Sequence, residues 1–224
     1  MEVEEFLRAL DRVERYIRYL DMRASGHTYI AWGLAVAGAS LCTFFAPAIG
    51  KAVGIPAGPI IGLSWFIAMT IAIVMSTRSV ARLRAFVLAH RPREEHEELV
   101  RTWRRAGMII AIGWLSILSL WGFLFGVLFG ESPGLLWSSY LICVGFGNVV
   151  IYLAPGGEKE REVLYVALSL MASSPIPALL AIAFPGSAGW APFVVAVVAV
   201  IASYLWAGFR FYGRAEAILV GSEG

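Results

Sequence analysis

The stretch GPIIGLSWFIAMTIAIVMST, residues 58–77, contains no Asp, Glu, Lys or Arg. Twenty residues of α-helix rise about 30 Å, the thickness of the hydrocarbon core of a bilayer. Five other stretches are equally free of charge and similarly long: 28–48, 106–130, 133–154, 163–184 and 189–209. A helix pairs its own backbone N–H and C=O groups, so such a stretch can lie in lipid as a helix. The sequence therefore predicts an all-α polytopic membrane protein, a bundle of six transmembrane helices.

The composition agrees with this prediction. Hydrophobic residues make up 59% of the chain, mean hydropathy is +0.74, and charged residues are only 15%, against about 25% in soluble domains. What lies outside the spans is too short for a separate soluble domain. We expect an amphipathic helix at residues 1–24, one membrane domain at 25–209 and a short tail at 210–224.

The cations are sorted to one side of the predicted spans. Seventeen of the eighteen Lys and Arg residues fall in four segments: 1–27, 78–105, 155–162 and 210–224. Only Lys51 lies on the opposite side. The positive-inside rule then makes the four segments cytoplasmic. We expect a multi-pass protein of the cell membrane with both termini in the cytoplasm, and the acidic start of the chain argues against a cleaved signal peptide.

The N-terminal segment has an apolar seam at helical spacing. Its members recur three and four residues apart: Val3, Phe6, Leu10, Val13, Ile17 and Leu20. This pattern predicts a helix that packs along one side. Acidic and basic residues between them are nearly balanced, which favours packing against protein over packing on a lipid surface. The seam could pack on this chain's own cytoplasmic helices, on a second copy or another partner, or at the membrane interface.

The segment 78–105 predicts a cytoplasmic helical hairpin between the second and third spans. Its first part should continue the second span to His90, Pro92 should interrupt the helix, and a new helix should start at Arg93. Glu94 and Glu95 in the first turn complement the helix dipole. The expected partners are the lipid bilayer and a second copy, or another membrane or cytoplasmic protein, bound through residues 2–24 and 78–105. Nothing in the sequence indicates nucleic acid.

Small residues recur every fourth position in three spans. The strongest series is Gly122, Gly126 and Gly130, and two similar series are Ala199, Ser203 and Ala207, and Ala31, Ala35 and Ala39. Small side chains let two helices approach closely, so dispersion can hold them together in lipid. The partner of each series could belong to the same chain or to a neighbouring subunit.

The sequence SSPIP at residues 173–177 lies at the middle of the fifth span. Pro175 and Pro177 lack the N–H groups that an unbroken helix needs, so a kink is expected there. Broken helices near the membrane midplane expose carbonyl groups to substrates in several transporters. Ser173 and Ser174, with Asn148 as a polar companion, are therefore candidates for binding an uncharged solute. The alternative is a structural kink, which membrane helices tolerate.

Several kinds of chemistry are disfavoured. The spans contain no ionisable Asp, Glu, Lys, Arg or His, which argues against proton-driven transport. Cys42 and Cys143 lie among apolar residues, so we expect neither a disulfide, nor a metal site, nor a cofactor. Sixteen Arg against two Lys, one Asn and no Gln are typical of a thermophile or of a GC-rich genome.

One pattern resembles part of a known enzyme family. Ser25-Gly26-His27 and the spacing Arg84-x5-His90-x3-Glu94 are similar to elements of the type 2 phosphatidic acid phosphatases. The resemblance implies His90 as nucleophile, Glu94 as the group that orients it, and His27 as the acid for the leaving group. The basic element that precedes these motifs in the family is missing, Leu83 replaces a Ser, and Glu94 replaces an Asp.

The layout is similar to that of ABC-2-type exporter permeases, in which a helix before the first span and a cytoplasmic helix between the second and third spans meet a separate ATPase. From the sequence we predict a non-enzymatic membrane subunit that acts by self-association or with a partner, with a permease-like role as one form of it. The first alternative is a channel or carrier for an uncharged solute that uses the kinked fifth helix. The remote alternative is a membrane phosphatase.

Overall fold

The computed structural model describes residues 2–129, 132–155, 159–187 and 190–220. Every regular element in these residues is helical. In chain order the helices are α1 (Glu2–Val53), α2 (Ala57–His90), α3 (Arg93–Ser119), α4 (Gly126–Phe129), α5 (Pro133–Leu153), α6 (Arg161–Ser173), α7 (Pro175–Ala183) and α8 (Trp190–Val220). A π-helical segment at Leu120–Phe125 joins α3 to α4, and a 3₁₀ turn at Pro185–Ser187 follows α7.

Within the described residues, six helical stretches are long and apolar enough to cross a membrane. They are Leu10–Val53, Ala57–His90, Arg93–Phe123, Pro133–Leu153, Arg161–Ala183 and Trp190–Leu219. The prediction of an all-helical chain with six such helices is confirmed, and these helices are compatible with a membrane protein. Gly130, the predicted end of the third span, and Gly189, the predicted start of the sixth, lie outside the described residues.

The N-terminal amphipathic segment and the first span form one helix. α1 runs without interruption for 52 residues, about 78 Å at 1.5 Å per residue, more than twice the thickness of a bilayer core. It ends in a Schellman motif, in which the N–H of Ile55 donates to the carbonyl of Gly50 at 3.1 Å. Gly54 has φ +71°, a left-handed conformation that glycine adopts without steric cost.

Prolines set several of the other helix ends. α2 ends at His90, Arg91 is extended, and α3 begins at Arg93, one residue after Pro92. The carbonyl of Pro92 accepts a hydrogen bond from the N–H of Glu95 at 3.1 Å. Proline has no N–H to donate to a preceding turn, but the first turn of a helix needs none. Pro133 and Pro175 likewise lie at the starts of α5 and α7.

The described chain divides into two compact units, of which the first comprises residues 2–96 and 204–220. α1 and α2 form an antiparallel hairpin, and the last part of α8 packs on α1. The helices approach closely where Gly26 faces Gly208, since a Cβ on Gly26 would lie 3.0 Å from the carbonyl oxygen of Gly208. Beside this crossing, the buried Tyr29 ring lies 5.3 Å from the Tyr204 ring and 5.7 Å from that of Phe211.

The second unit, residues 97–203, is built around α5. In the most apolar part of this helix, 56% of the residues are buried, a larger share than in the other candidate spans. Its Leu141 is fully buried, as are Val166 and Leu170 of α6. Apolar side chains in this density exclude lipid from the space between the helices.

Two of the candidate spans bury few of their own residues, although each packs along one side against a neighbouring helix. Only Ala72 and Val87 are buried in α2, and none of the residues of α3 is buried. Large apolar side chains of α3 such as Ile112 and Leu115 are 64% and 66% exposed. Exposed apolar faces of this size are typical of surfaces that lipid or another protein covers.

Candidate functional site

The helix α5 runs antiparallel to α6 and α7, and two glycines fix the register between them. A Cβ on Gly134 would lie 3.0 Å from Cα of Ala178 and 3.1 Å from the carbonyl oxygen of Pro177. A Cβ on Gly145 would lie 3.0 Å from the carbonyl oxygen of Ala167. The stretch of α5 between Gly134 and Gly145 therefore faces the chain between α6 and α7.

The helical hydrogen bonding is interrupted at Ser174, as the prolines predict, while Ser174 itself keeps helical dihedral angles, φ −61° and ψ −27°. We call this interruption the break. Ser174 lies between the end of α6 and the start of α7, it is buried, and its N–H donates to the carbonyl of Met171 at 3.2 Å. The hydroxyl of Ser173 donates to the carbonyl of Ser169 at 2.8 Å. Pro177 is fully buried and cannot supply the N–H that the carbonyl of Ser173 would receive in an unbroken helix.

Ser138 of α5 lies on the face that meets this break. It is one helical turn after Gly134 and two turns before Gly145, which places the three residues on one side of α5. Ser138 is only 9% exposed, and its hydroxyl has no hydrogen-bond partner within the described part of the chain. The adjacent Ser139 is as well buried, but its hydroxyl donates to the carbonyl of Leu136 at 2.7 Å.

Sequence reasoning missed Ser138 and selected Asn148 as the polar residue of α5. Asn148 is fully buried and donates from its amide to the carbonyl of Val144 at 2.9 Å. Asn148 lies three residues beyond Gly145, further along α5 from the break. Ten residues separate it from Ser138, about 15 Å along the helix. The signal that could have identified Ser138 is its four-residue spacing from Gly134.

The predicted series of small residues are placed differently from one another. Gly122 is exposed, and nothing in the described chain lies within 4 Å of a Cβ placed on it. Gly126 begins α4, but its surroundings lie outside the described structure. Gly130 lies outside the described residues. In α8, Ala199 is half-buried, Ala207 is fully buried, and the Ser203 hydroxyl lies 3.0 Å from that of Ser169 in α6. The third series, Ala31, Ala35 and Ala39, is buried throughout.

The N-terminal seam is described in part. The helix includes Val3 and Phe6, but their side chains lie outside the described residues. Leu10 is 50% exposed, whereas Val13, Ile17 and Leu20 are half-buried. Beside the seam, the ring of Tyr16 lies 5.1 Å from that of Phe86 in α2. At this level the N-terminal segment therefore contacts the chain's own second helix.

The residues that resemble a phosphatase motif are far apart. The ring of His90 stacks on Phe86, and Nδ1 of His27 lies 3.3 Å from the hydroxyl of Tyr212. Because Tyr16 packs against Phe86, His27 and His90 differ in level by fifteen residues along the hairpin, about 22 Å. One phosphate group cannot touch both histidines at that separation, so the geometry gives no support to a phosphatase site.

An open apolar cleft of about 710 Å³ lies at the far end of α7, between that helix and α8. Its lining includes Leu180, Phe184, Trp190 and Val194, and none of its lining residues carries a charge or a hydroxyl. Such a surface suits a lipid acyl chain and offers no group for catalysis.

No group of three or more His, Cys, Asp or Glu residues within the described ranges is arranged to hold a metal ion. Comparison with models of protein families, with curated proteins and with solved structures finds no match. The function must therefore be argued from the chain's own residues, and the break opposite Ser138 is the polar feature that stands out inside the spans.

Proposed function

We propose that this chain is a non-enzymatic subunit of a membrane assembly, formed with a second copy or with another membrane protein. This proposal is supported by a set of exposed glycines in the apolar spans against which no other described helix packs. Gly58 and Gly62 in α2, and Gly122 after α3, are exposed, and no described atom lies within 4 Å of a Cβ placed on any of them.

The glycines inside the two units show what such positions do when they are occupied. Gly134, Gly145 and Gly208 each stand where a Cβ would come within 3.1 Å of a backbone atom of a neighbouring helix. Gly58 and Gly62 have the same four-residue spacing as a close-packing motif but have no helix against them. Small residues at this spacing permit a second helix to approach, and without one they lower helix stability.

The mass of the particle in lipid tests this proposal. We expect the full chain, reconstituted in lipid nanodiscs and measured by native mass spectrometry, to give a mass of two or more 24.4 kDa chains or of one chain with a co-purified membrane protein. A particle of one chain across the accessible range of protein-to-lipid ratios would contradict it.

A permease-like role served by a separate ATPase is the finer form of the proposal. It is supported by the polar helix ends around Pro92, where the exposed Arg91 and Glu95 form an ion pair of 3.5 Å. It also requires that these ends, with both termini, face the cytoplasm. Seventeen of the eighteen Lys and Arg residues favour that orientation.

Cysteine labelling checks this orientation. Lys51 is the cation on the opposite side, and it is exposed near the end of α1. With Cys42 and Cys143 replaced by alanine, Lys51→Cys is expected to react with a membrane-impermeant maleimide in intact cells. A cysteine at Glu94 is expected to react only after the cells are permeabilised. Equal labelling of both positions in intact cells would overturn the assigned sides.

The second candidate function is a channel or carrier for an uncharged solute, and the helix break at Ser174 favours it. In this case the double variant Pro175→Ala and Pro177→Ala, which restores two backbone donors, should reduce the flux of a solute such as glycerol into proteoliposomes. The flux would be followed by light scattering. Flux at the level of protein-free liposomes for the wild-type chain would contradict this candidate.

A further inference from the structure

We propose that the break between α6 and α7 binds an ordered water molecule, held between the hydroxyl of Ser138 and the carbonyl of Ser173. The site lies within the second unit and does not depend on the proposed assembly. It places one hydrated point inside an otherwise apolar span.

Ser138 is one of three serines, with Ser40 and Ser76, whose buried hydroxyl oxygens have no hydrogen-bond partner in the described chain. Of the three, it is the one that lies opposite the break. In the apolar spans, Thr43, Ser64, Thr70, Ser139 and Ser169 each donate to a backbone carbonyl three or four residues earlier, at 2.7 to 3.0 Å. This is the ordinary way in which a serine or threonine satisfies itself inside a membrane helix. The hydroxyl of Ser138 makes no such bond in the described structure, although it is more than nine-tenths buried.

The break itself supplies a complementary group. Pro177 has no N–H, so the carbonyl of Ser173 lacks its α-helical donor. The buried Ser174 places a second hydroxyl at the same level. The register from Gly134 against Pro177 brings Ser138, one turn further along α5, opposite this part of the chain.

Water fits these groups better than an ion does. A hydroxyl without a partner and a carbonyl without its α-helical donor are both served by a molecule that accepts one hydrogen bond and donates another. Buried waters in proteins meet this need, making about three hydrogen bonds to otherwise unsatisfied groups. No Asp, Glu, Lys or Arg occurs in the spans that form the site, so a neutral ligand requires no compensating charge.

A double-mutant cycle in the full-length protein tests the site. The four proteins are wild type, Ser138→Ala, Pro177→Ala and the double variant, and the measurement is the midpoint of thermal unfolding in lipid nanodiscs. We expect Ser138→Ala to lower the midpoint by about 2–4 °C, because it removes a hydrogen bond to the bound water. In the Pro177→Ala background, where the new N–H serves the Ser173 carbonyl, we expect Ser138→Ala to have little effect.

Ser139→Ala is the matched control, because its loss of a bond to Leu136 is independent of the break. It should lower the midpoint equally in both backgrounds. Two results would overturn the proposal. A higher midpoint for Ser138→Ala would show that the hydroxyl is buried without any ligand. An equal decrease in both backgrounds would show that it bonds within its own helix.

Discussion

Replacing Gly134 with alanine should destabilise the second unit by about 2–3 kcal/mol, the cost of overpacking a tightly filled contact. The added Cβ would lie 2.6 Å from the Cβ of Ala181, 3.0 Å from Cα of Ala178 and 3.1 Å from the carbonyl oxygen of Pro177. Two of these three atoms belong to backbone, so no side-chain rotation can relieve the contact. The whole of α7 would have to move away from α5.

The expected loss is larger than the opposing gain in helix propensity. Alanine is favoured over glycine in a helix interior by about 1 kcal/mol. That gain alone should appear in Gly107→Ala, the control in the same unit, because nothing in the described chain lies within 4 Å of a Cβ at Gly107. Equilibrium unfolding in mixed micelles, with a denaturing detergent as the variable, would measure both changes.

A second substitution separates the steric cost from other effects. Ala181→Gly removes the atom nearest to the new Cβ, so the double variant Gly134→Ala and Ala181→Gly should regain part of the lost stability. The double variant should be more stable than the sum of the two single effects predicts, because substitutions at residues in direct contact are not additive. Wild-type stability for Gly134→Ala would show that α5 and α7 are not as close as the structure places them.

The six candidate spans could be predicted from the sequence because exclusion of charge from lipid is a local property. Any window of about twenty residues without Asp, Glu, Lys or Arg reports it. The break at Ser174 was equally predictable, since Pro175 and Pro177 carry their backbone constraint wherever they occur. Neither conclusion requires knowledge of which helices touch.

The partner of the break could not be predicted in the same way. Ser138 faces Ser174 only because Gly134 and Gly145 set the register of two helices, and register depends on pairwise packing. Asn148 was selected because it is the one side-chain amide of the spans. Its amide donates a hydrogen bond to the carbonyl of Val144 in its own helix. Residue type alone does not show whether a polar group is satisfied locally.

The glycines illustrate the same limit. The strongest sequence pattern, at Gly122, Gly126 and Gly130, includes an exposed glycine, while close contacts between helices occur at Gly134 and Gly208, where the pattern is weaker. A small residue permits close approach but does not attract a particular helix. Only the three-dimensional arrangement distinguishes occupied from open glycines.

Substituting isoleucine for an open glycine should weaken the proposed assembly by about tenfold or more, since a lost contact of 1.4 kcal/mol changes an association constant tenfold. Gly62→Ile and Gly122→Ile are the variants, one in each unit. Each would fill a groove that a second helix would otherwise enter. Neither should harm folding of the single chain, because no described atom lies within 4 Å of a Cβ at these positions.

The monomer fraction in lipid, measured by single-molecule subunit counting over a range of dilutions, gives the association constant. Gly38→Ile is the matched control. Gly38 is exposed and open like Gly62, but Leu34 stands one turn before it, so it forms no groove of small residues on that side. If all three substitutions weakened the assembly equally, the effect would come from any larger side chain in a span and not from a specific glycine contact. An assembly unaffected by Gly62→Ile and Gly122→Ile would exclude both glycine faces as its contact, since a helix seated on either would meet the new side chain at once.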